Sequence, residues 1–148
     1  MCRGNAFRSV IAETYLKSLG LEDINVISSG SVAEAHRIQN ISLLSAVQTL
    51  LTGHGIEEYA KAYSDQSTQE LINESDIIIC MNQRVADEAS QTMELPSNVM
   101  VWDITDVSES EHAVHSDAER NEYLEQVYQE IRLKVDELVS LIKVKVLA

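Results

Sequence analysis

The hexapeptide Asp76-Ile77-Ile78-Ile79-Cys80-Met81 constrains the fold of this chain more than any other segment. Its apolar residues run on without alternation, so a strand here must be covered on both faces. That is the signature of a parallel strand held between helices, because a strand with one wet face would alternate. Asn98 to Trp102 (N-V-M-V-W) repeats the pattern, and Asn25 to Ser29 (N-V-I-S-S), closed by Gly30, is a shorter strand. Helical spacings lie between them. Ser9 to Leu19 places Val10, Ile11, Tyr15, Leu16 and Leu19 at helical intervals and stops at Gly20. Ser42 to Thr52, Thr68 to Glu74 and Gln83 to Met93 read as further helices. Ala118 to Leu141 is a long amphipathic helix with Leu124, Val127, Ile131, Val135, Leu138 and Leu141 on one face. Strands alternating with helices predict an α/β domain with a parallel sheet.

The tail Ile142-Lys143-Val144-Lys145-Val146-Leu147-Ala148 changes period, alternating apolar and charged residues as a strand does. Two further turns of the preceding helix are the other reading. With 148 residues, no internal repeat and no Pro/Gly-rich linker, the chain is expected to form one domain, 1–148.

A net charge of −13, from 24 acidic against 11 basic residues, argues against nucleic acid or an anionic membrane as partner, since both require a basic footprint. Two cysteines are too few for a disulfide scaffold and point to a reducing compartment. The opening residues do not resemble a signal peptide, and no apolar run approaches the roughly 18 residues of a membrane span. A cytoplasmic location is expected. His36, His54, His112 and His115 lack metal-ligand spacing, so neither a metal nor a cofactor is expected.

The chemistry concentrates in Cys2-Arg3-Gly4-Asn5-Ala6-Phe7-Arg8-Ser9, which opens the first helix. A thiol that attacks phosphorus must be a thiolate, and a helix N-terminus and a nearby arginine both favour that anion. A short loop can turn its backbone N–H groups inward to cradle phosphate oxygens, and Gly4 eases the backbone geometry. Arg8 is suited to grip two oxygens in a fork and to stabilise charge in the transition state. An inert buried Cys2 with a surface Arg8 is the plain structural reading of the same residues.

The string Cys-x-Gly-Asn-x-x-Arg-Ser followed by Ile11-Ala12-Glu13 resembles the phosphate loop of the low-molecular-weight protein tyrosine phosphatases and their relatives, the thioredoxin-coupled arsenate reductases. Ile27-Ser28-Ser29-Gly30, His54-Gly55-Ile56 and Ser75 to Asn82 resemble further family segments. The resemblance implies a three-layer αβα fold around a parallel four-stranded sheet. It also implies Cys2 as nucleophile and Arg8 as phosphate grip, with Arg3, Gly4, Asn5, Ala6, Phe7 and Ser9 lining the substrate phosphate. Asn5 would hold the loop through its side chain, and Ser9 would hydrogen-bond the nucleophile. Trp102-Asp103-Ile104-Thr105-Asp106-Val107 stands where the family carries its general acid, which makes Asp106 that acid and Asp103 the neighbour to exclude.

Three departures matter. The family's first strand should precede the nucleophile, yet only Met1 does so here. A strand from 142–148 would fill that gap, by permuted connectivity or by exchange within a homodimer; the rival account is a true start that lies upstream of Met1. Ser108, Glu109 and Ser110 replace the aromatics that receive a phosphotyrosine ring, and Met81-Asn82 replaces a Met-Asp pair. Arsenate reduction needs further thiols, and Cys80 sits inside an apolar strand as a small hydrophobe. The expected function is a cysteine-dependent phosphomonoester hydrolase of phosphotyrosine type, acting through a phosphocysteine on a phosphorylated protein or a small phosphomonoester. Phosphate or sulfate would fill the loop. The alternatives are a non-catalytic oxyanion-binding module and, less favoured, an arsenate reductase.

Overall fold

The computed structural model describes residues 1–38, 41–104 and 116–147. Five helices, α1 (Arg8–Ser18), α2 (Ile41–Gly53), α3 (Gln69–Glu74), α4 (Gln83–Thr92) and α5 (Asp117–Leu147), accompany two strands, β1 (Ile79–Cys80) and β2 (Met100–Val101). A 3-10 turn spans Glu57–Tyr59. The strands pair in parallel, Ile79 opposite Met100 and Cys80 opposite Val101.

The ladder continues beyond β1 as single-residue bridges. Met1 accepts a hydrogen bond from Met81 N (2.9 Å) and donates its own nitrogen to Ile79 O. Cys2 bridges Gly30 in parallel, and Gly30 bridges Gln66. The order across the sheet is therefore 66, 30, 1–2, β1, β2. Met1 and Cys2 lie between the Gly30 segment and β1, in the gap that the sequence left open. The sequence reading placed full strands at 25–29, 76–81 and 98–102, and among the described residues only the short cores of the last two pair as strands.

Alternate residues along β1 and its flanks serve opposite faces. Ile78 and Cys80 point to α3 and α4, where they meet Ile72, Val85, Ala86, Ala89 and Met93. Met81, Trp102 and Ile104 belong to the larger core with Val10 and Ile11 of α1, Val47 and Leu51 of α2, and the inner stripe of α5. Helices thus cover both faces, as the unbroken apolar run requires. Thr68 caps α3 through Leu71 N, and Asn82 caps α4 through Val85 N. The amide at position 82 thereby has a local task.

The tail corrects one expectation. Residues 142–147 continue α5 and form no strand, so neither the permuted connectivity nor strand exchange with a second subunit is built from them. The reason is packing. Ile131, Val135 and Leu138 reach Ile142 by steps of four, three and four, and Ile142 packs against the main core. This stripe outweighs a local two-residue alternation, and the gap in the sheet is already occupied by Met1 and Cys2. Leu141, placed on the inner face by sequence, is 56% exposed because Ile142 takes the core position. Tyr128 is buried and stacks on His54 at 3.8 Å between ring centroids.

Candidate active site

Cys2 leaves the sheet, and six residues later the chain is in α1. The interval closes into a loop because both ends are tied down. Cys2 N bonds Ser29 O, and Cys2 O and Arg3 O accept from Ser31 N and Val32 N at 3.0 Å each. At the other end Ile11 N bonds Phe7 O (3.0 Å), so the helix starts directly behind the loop. Gly30 lets the two segments approach. A Cβ there would lie 2.5 Å from Arg3 O and 2.8 Å from Asn5 N.

The sulfur of Cys2 sits at the centre of this turn. Ser9 Oγ lies 2.9 Å from Cys2 Sγ, and Asn5 N donates to the same sulfur at 3.2 Å. A backbone amide, a hydroxyl and the start of a helix therefore all face one thiol. Cys80, by contrast, is fully buried on the opposite face of the sheet, where burial pushes its thiol up.

Asn5 is the hub. Its φ of 51° is left-handed, which asparagine tolerates better than most residues. Its side-chain nitrogen donates to Ser9 Oγ (2.9 Å) and Ser28 Oγ (2.8 Å), while its carbonyl oxygen accepts from Lys61 Nζ (2.9 Å) and Asp65 N (2.8 Å). Ser64 Oγ donates to Asn5 O at 2.7 Å. Glu13, one turn into α1, accepts from Ser28 N and steadies the far side of this network.

Two arginines flank the sulfur differently. Arg8 is buried, with Nη1 donating to Ile104 O at 2.7 Å, so its head lies against the segment that leads out of β2. Arg3 is partly exposed and is held by Glu88, with Nε 3.0 Å from each carboxylate oxygen. Arg84 approaches Glu88 at 3.4 Å, one helical turn away on α4. Arg3 thus acquires a fixed position that sequence reasoning did not assign.

All eight residues of the predicted loop, Cys2, Arg3, Gly4, Asn5, Ala6, Phe7, Arg8 and Ser9, come together here. Ala6 and Phe7 are buried, and Phe7 turns toward the core, its ring 6.3 Å from that of Tyr123. Asp103 is exposed. Asp106, the expected acid, and Ser108 to Ser110 lie outside the described residues. Sequence reasoning missed Lys61, Ser64, Asp65 and Glu88. Lys61 and Asp65 stand four apart, a detectable spacing, but nothing local says that the pair sits beneath a loop some 55 residues earlier. No cluster of three or more His, Cys, Asp or Glu side chains suited to a metal occurs among the described residues. No helix among them is long and apolar enough to cross a membrane.

The family described as low molecular weight phosphotyrosine protein phosphatase matches residues 1–147. No curated protein sequence matches the chain. Among solved structures, the chain is similar to Wzb of Vibrio vulnificus in complex with benzylphosphonate, with TM-score 0.68 and 19% identity over 94% of this chain and 93% of that one. It is also similar to the low molecular weight protein tyrosine phosphatase SP-PTP of Streptococcus pyogenes, with TM-score 0.67 and 24% identity over 94% and 87%. A third is the YwlE arginine phosphatase of Geobacillus stearothermophilus, with TM-score 0.66 and 22% identity over 99% and 92%.

Proposed function

The chain belongs to the low molecular weight phosphotyrosine protein phosphatase family and is a phosphatase, and from that premise we propose that it hydrolyses phosphomonoesters through a phosphocysteine on Cys2. The carrying observation is the convergence of Ser9 Oγ and Asn5 N on one sulfur at the start of α1. Both are arranged to stabilise a thiolate, the form that attacks.

The Cys2 thiolate attacks phosphorus in line with the ester oxygen; the S–P bond forms as the P–O bond breaks. Asp106 gives its proton to the departing oxygen. Loop amides and the Arg8 guanidinium hold the oxygens of the phosphoryl group through the transition state. Asp106 then takes a proton from water, which attacks the phosphocysteine, and the thiolate leaves with release of inorganic phosphate. The Ser9 hydroxyl stabilises the departing sulfur in this second step. Arg3 adds positive potential at the rim, steadied by Glu88.

A phosphotyrosine-type ester, on a protein or a small molecule, is the substrate class this reading favours. Phosphoarginine is the second reading. It is favoured by the fold's likeness to an arginine phosphatase and by the acidic residues Glu109, Glu111, Asp117 and Glu119 that follow the acid, which suit a cationic guanidinium better than an aromatic ring. Arsenate reduction finds no second thiol near Cys2, since Cys80 faces the other layer.

Hydrolysis of an aryl phosphate by the wild type should be inhibited by vanadate and abolished in Cys2→Ser. Asp106→Ala should lose about 10²–10⁴-fold in turnover while Asp103→Ala stays near wild type. Full activity in Cys2→Ser would refute the mechanism. Oxyanion binding with no turnover of aryl phosphate or phosphoarginine would instead make this a non-catalytic phosphate-binding module.

A further inference from the structure

The hydrogen bonds beneath the loop have a direction, and we propose that Lys61 sets it: acting through Asn5, Lys61 is the positioning residue that turns the Ser9 hydroxyl proton toward the Cys2 sulfur. This deepens the reading of Cys2 as nucleophile and rests on it.

Ser9 Oγ and Cys2 Sγ are 2.9 Å apart, and either atom could donate across that distance. The answer comes from the neighbours. A lysine ammonium and a backbone N–H are donors only. Lys61 Nζ and Asp65 N both face the same end of the Asn5 amide, at 2.9 and 2.8 Å, so that end must be the carbonyl oxygen. Rotating the amide by half a turn would set its NH₂ against two donors in a fully buried site. The Asn5 nitrogen is thereby directed at Ser9 Oγ and Ser28 Oγ. Its hydrogen occupies an acceptor position on Ser9 Oγ, and the hydroxyl's single proton is then left for the sulfur. A thiolate accepts only, so the chain Lys61 to Asn5 to Ser9 to Cys2 runs one way and ends on the anion.

Lys61 is built for this task. Its side chain is 12% exposed. Its ammonium has three protons and three acceptors, Asn5 Oδ1, Ser28 O (2.8 Å) and Asp65 Oδ2 (2.7 Å). Burying an ammonium is costly unless every proton is met, and here each one is. The geometry also places a charge-assisted bond, stronger than a neutral one, on the oxygen whose orientation decides the rest.

A double-mutant cycle tests this in the full chain. The rate of carboxymethylation at Cys2 by iodoacetate, located by mass spectrometry, and kcat and KM for an aryl phosphate are measured for wild type, Lys61→Met, Lys61→Arg, Ser9→Ala and Lys61→Met/Ser9→Ala. Thermal midpoints are recorded alongside. Lys61→Met should slow alkylation and lower kcat by about tenfold, the worth of one hydrogen bond to a charged group. Lys61→Arg, again donor-only, should recover most of that loss. In the Ser9→Ala background Lys61→Met should add less than about twofold, because its path to the sulfur has been removed.

Effects that multiply, or wild-type rates in Lys61→Met, would overturn the proposal, as a tether acting only on stability would give multiplication. If Lys61→Met unfolds below assay temperature, Lys61→Leu, which also lacks a donor, carries the same cycle under the same criteria. Alkylation does not require turnover. Coupling that holds while Cys2→Ser still hydrolyses the ester would therefore leave the positioning role standing and remove the phosphatase mechanism.

Discussion

Asn5 combines two demands that are usually met by different residues. Its backbone needs a positive φ, which glycine would supply, and its side chain needs two donors and an acceptor, which glycine lacks. The two demands separate by substitution. Asn5→Gly and Asn5→Ala should both lose activity, because both release Ser9 and Lys61. Asn5→Ala should be the less stable of the pair by about 1 kcal/mol, since a Cβ disfavours the left-handed region. Denaturant midpoints read the difference directly; equal midpoints would mean that the loop relaxes out of its turn once the amide is gone. At this scale Cys2, Asn5, Arg8 and Ser9 were legible because one short string carries them all. Lys61 and Glu88 were not, because their partners are distant in sequence and lysines and glutamates are common on any surface.

At the scale of elements, α1 and α5 carry the site's support. Val10 and Ile11 meet Val127, Ile131 and Val135 in the core, each such side chain contributing about 1.5–3 kcal/mol on burial. A polar clasp closes the same seam: the Tyr15 hydroxyl donates to Asp136 Oδ1 at 2.8 Å. Burial and that hydrogen bond push the Tyr15 hydroxyl up to about 12. The folded state therefore holds the proton more tightly than the unfolded chain, whose tyrosine titrates near 10. This contribution is fully present below about pH 10 and is lost as pH rises toward 12. The urea midpoint of the wild type should fall more steeply between pH 9 and pH 11 than that of Tyr15→Phe. Parallel curves would show that the clasp does not survive in solution. Tyr59 and Tyr128 are shifted in the same direction and remain in both proteins, so the comparison isolates Tyr15. On the acid side, burial tends to raise the Glu125 carboxyl, but the His54 and Gln129 hydrogen bonds outweigh it and hold the group below its usual range. That contribution is lost as pH falls through the lowered value.

Across the whole molecule the decisive place is the crossing at Gly30. There the loop, the segment from Ser29 to Ser31 and the segment from Asp65 to Ser67 meet, with Gly30 N bonding Asp65 O (2.8 Å) and Gly30 O accepting from Ser67 N (2.9 Å). Ser29 and Ser67 join hydroxyls at 2.6 Å beside it. Gly30→Ala would drive a methyl into Arg3 O and Asn5 N, which are backbone atoms and cannot swing aside. We expect a loss of about 1–3 kcal/mol in stability, as in other overpacked sites, together with a loss of turnover at temperatures where the variant is still folded. Unchanged kcat in a folded Gly30→Ala would show that the loop does not depend on this close approach.

The amino-acid string alone determined the layered α/β class, the helices and the grouping of Cys2 to Ser9 ahead of the first helix, because periodicity and a contiguous motif are properties of neighbours. Tertiary structure decided the rest. Residues 142–147 alternate like a strand yet continue a helix, since Ile142 gains a core and the sheet position was already held by Met1 and Cys2. Lys61 meets Asn5 near the crossing where Gly30 lets separate segments approach at backbone distance. Partners chosen by burial and by the satisfaction of buried donors lie far apart along the chain, and no local pattern encodes them.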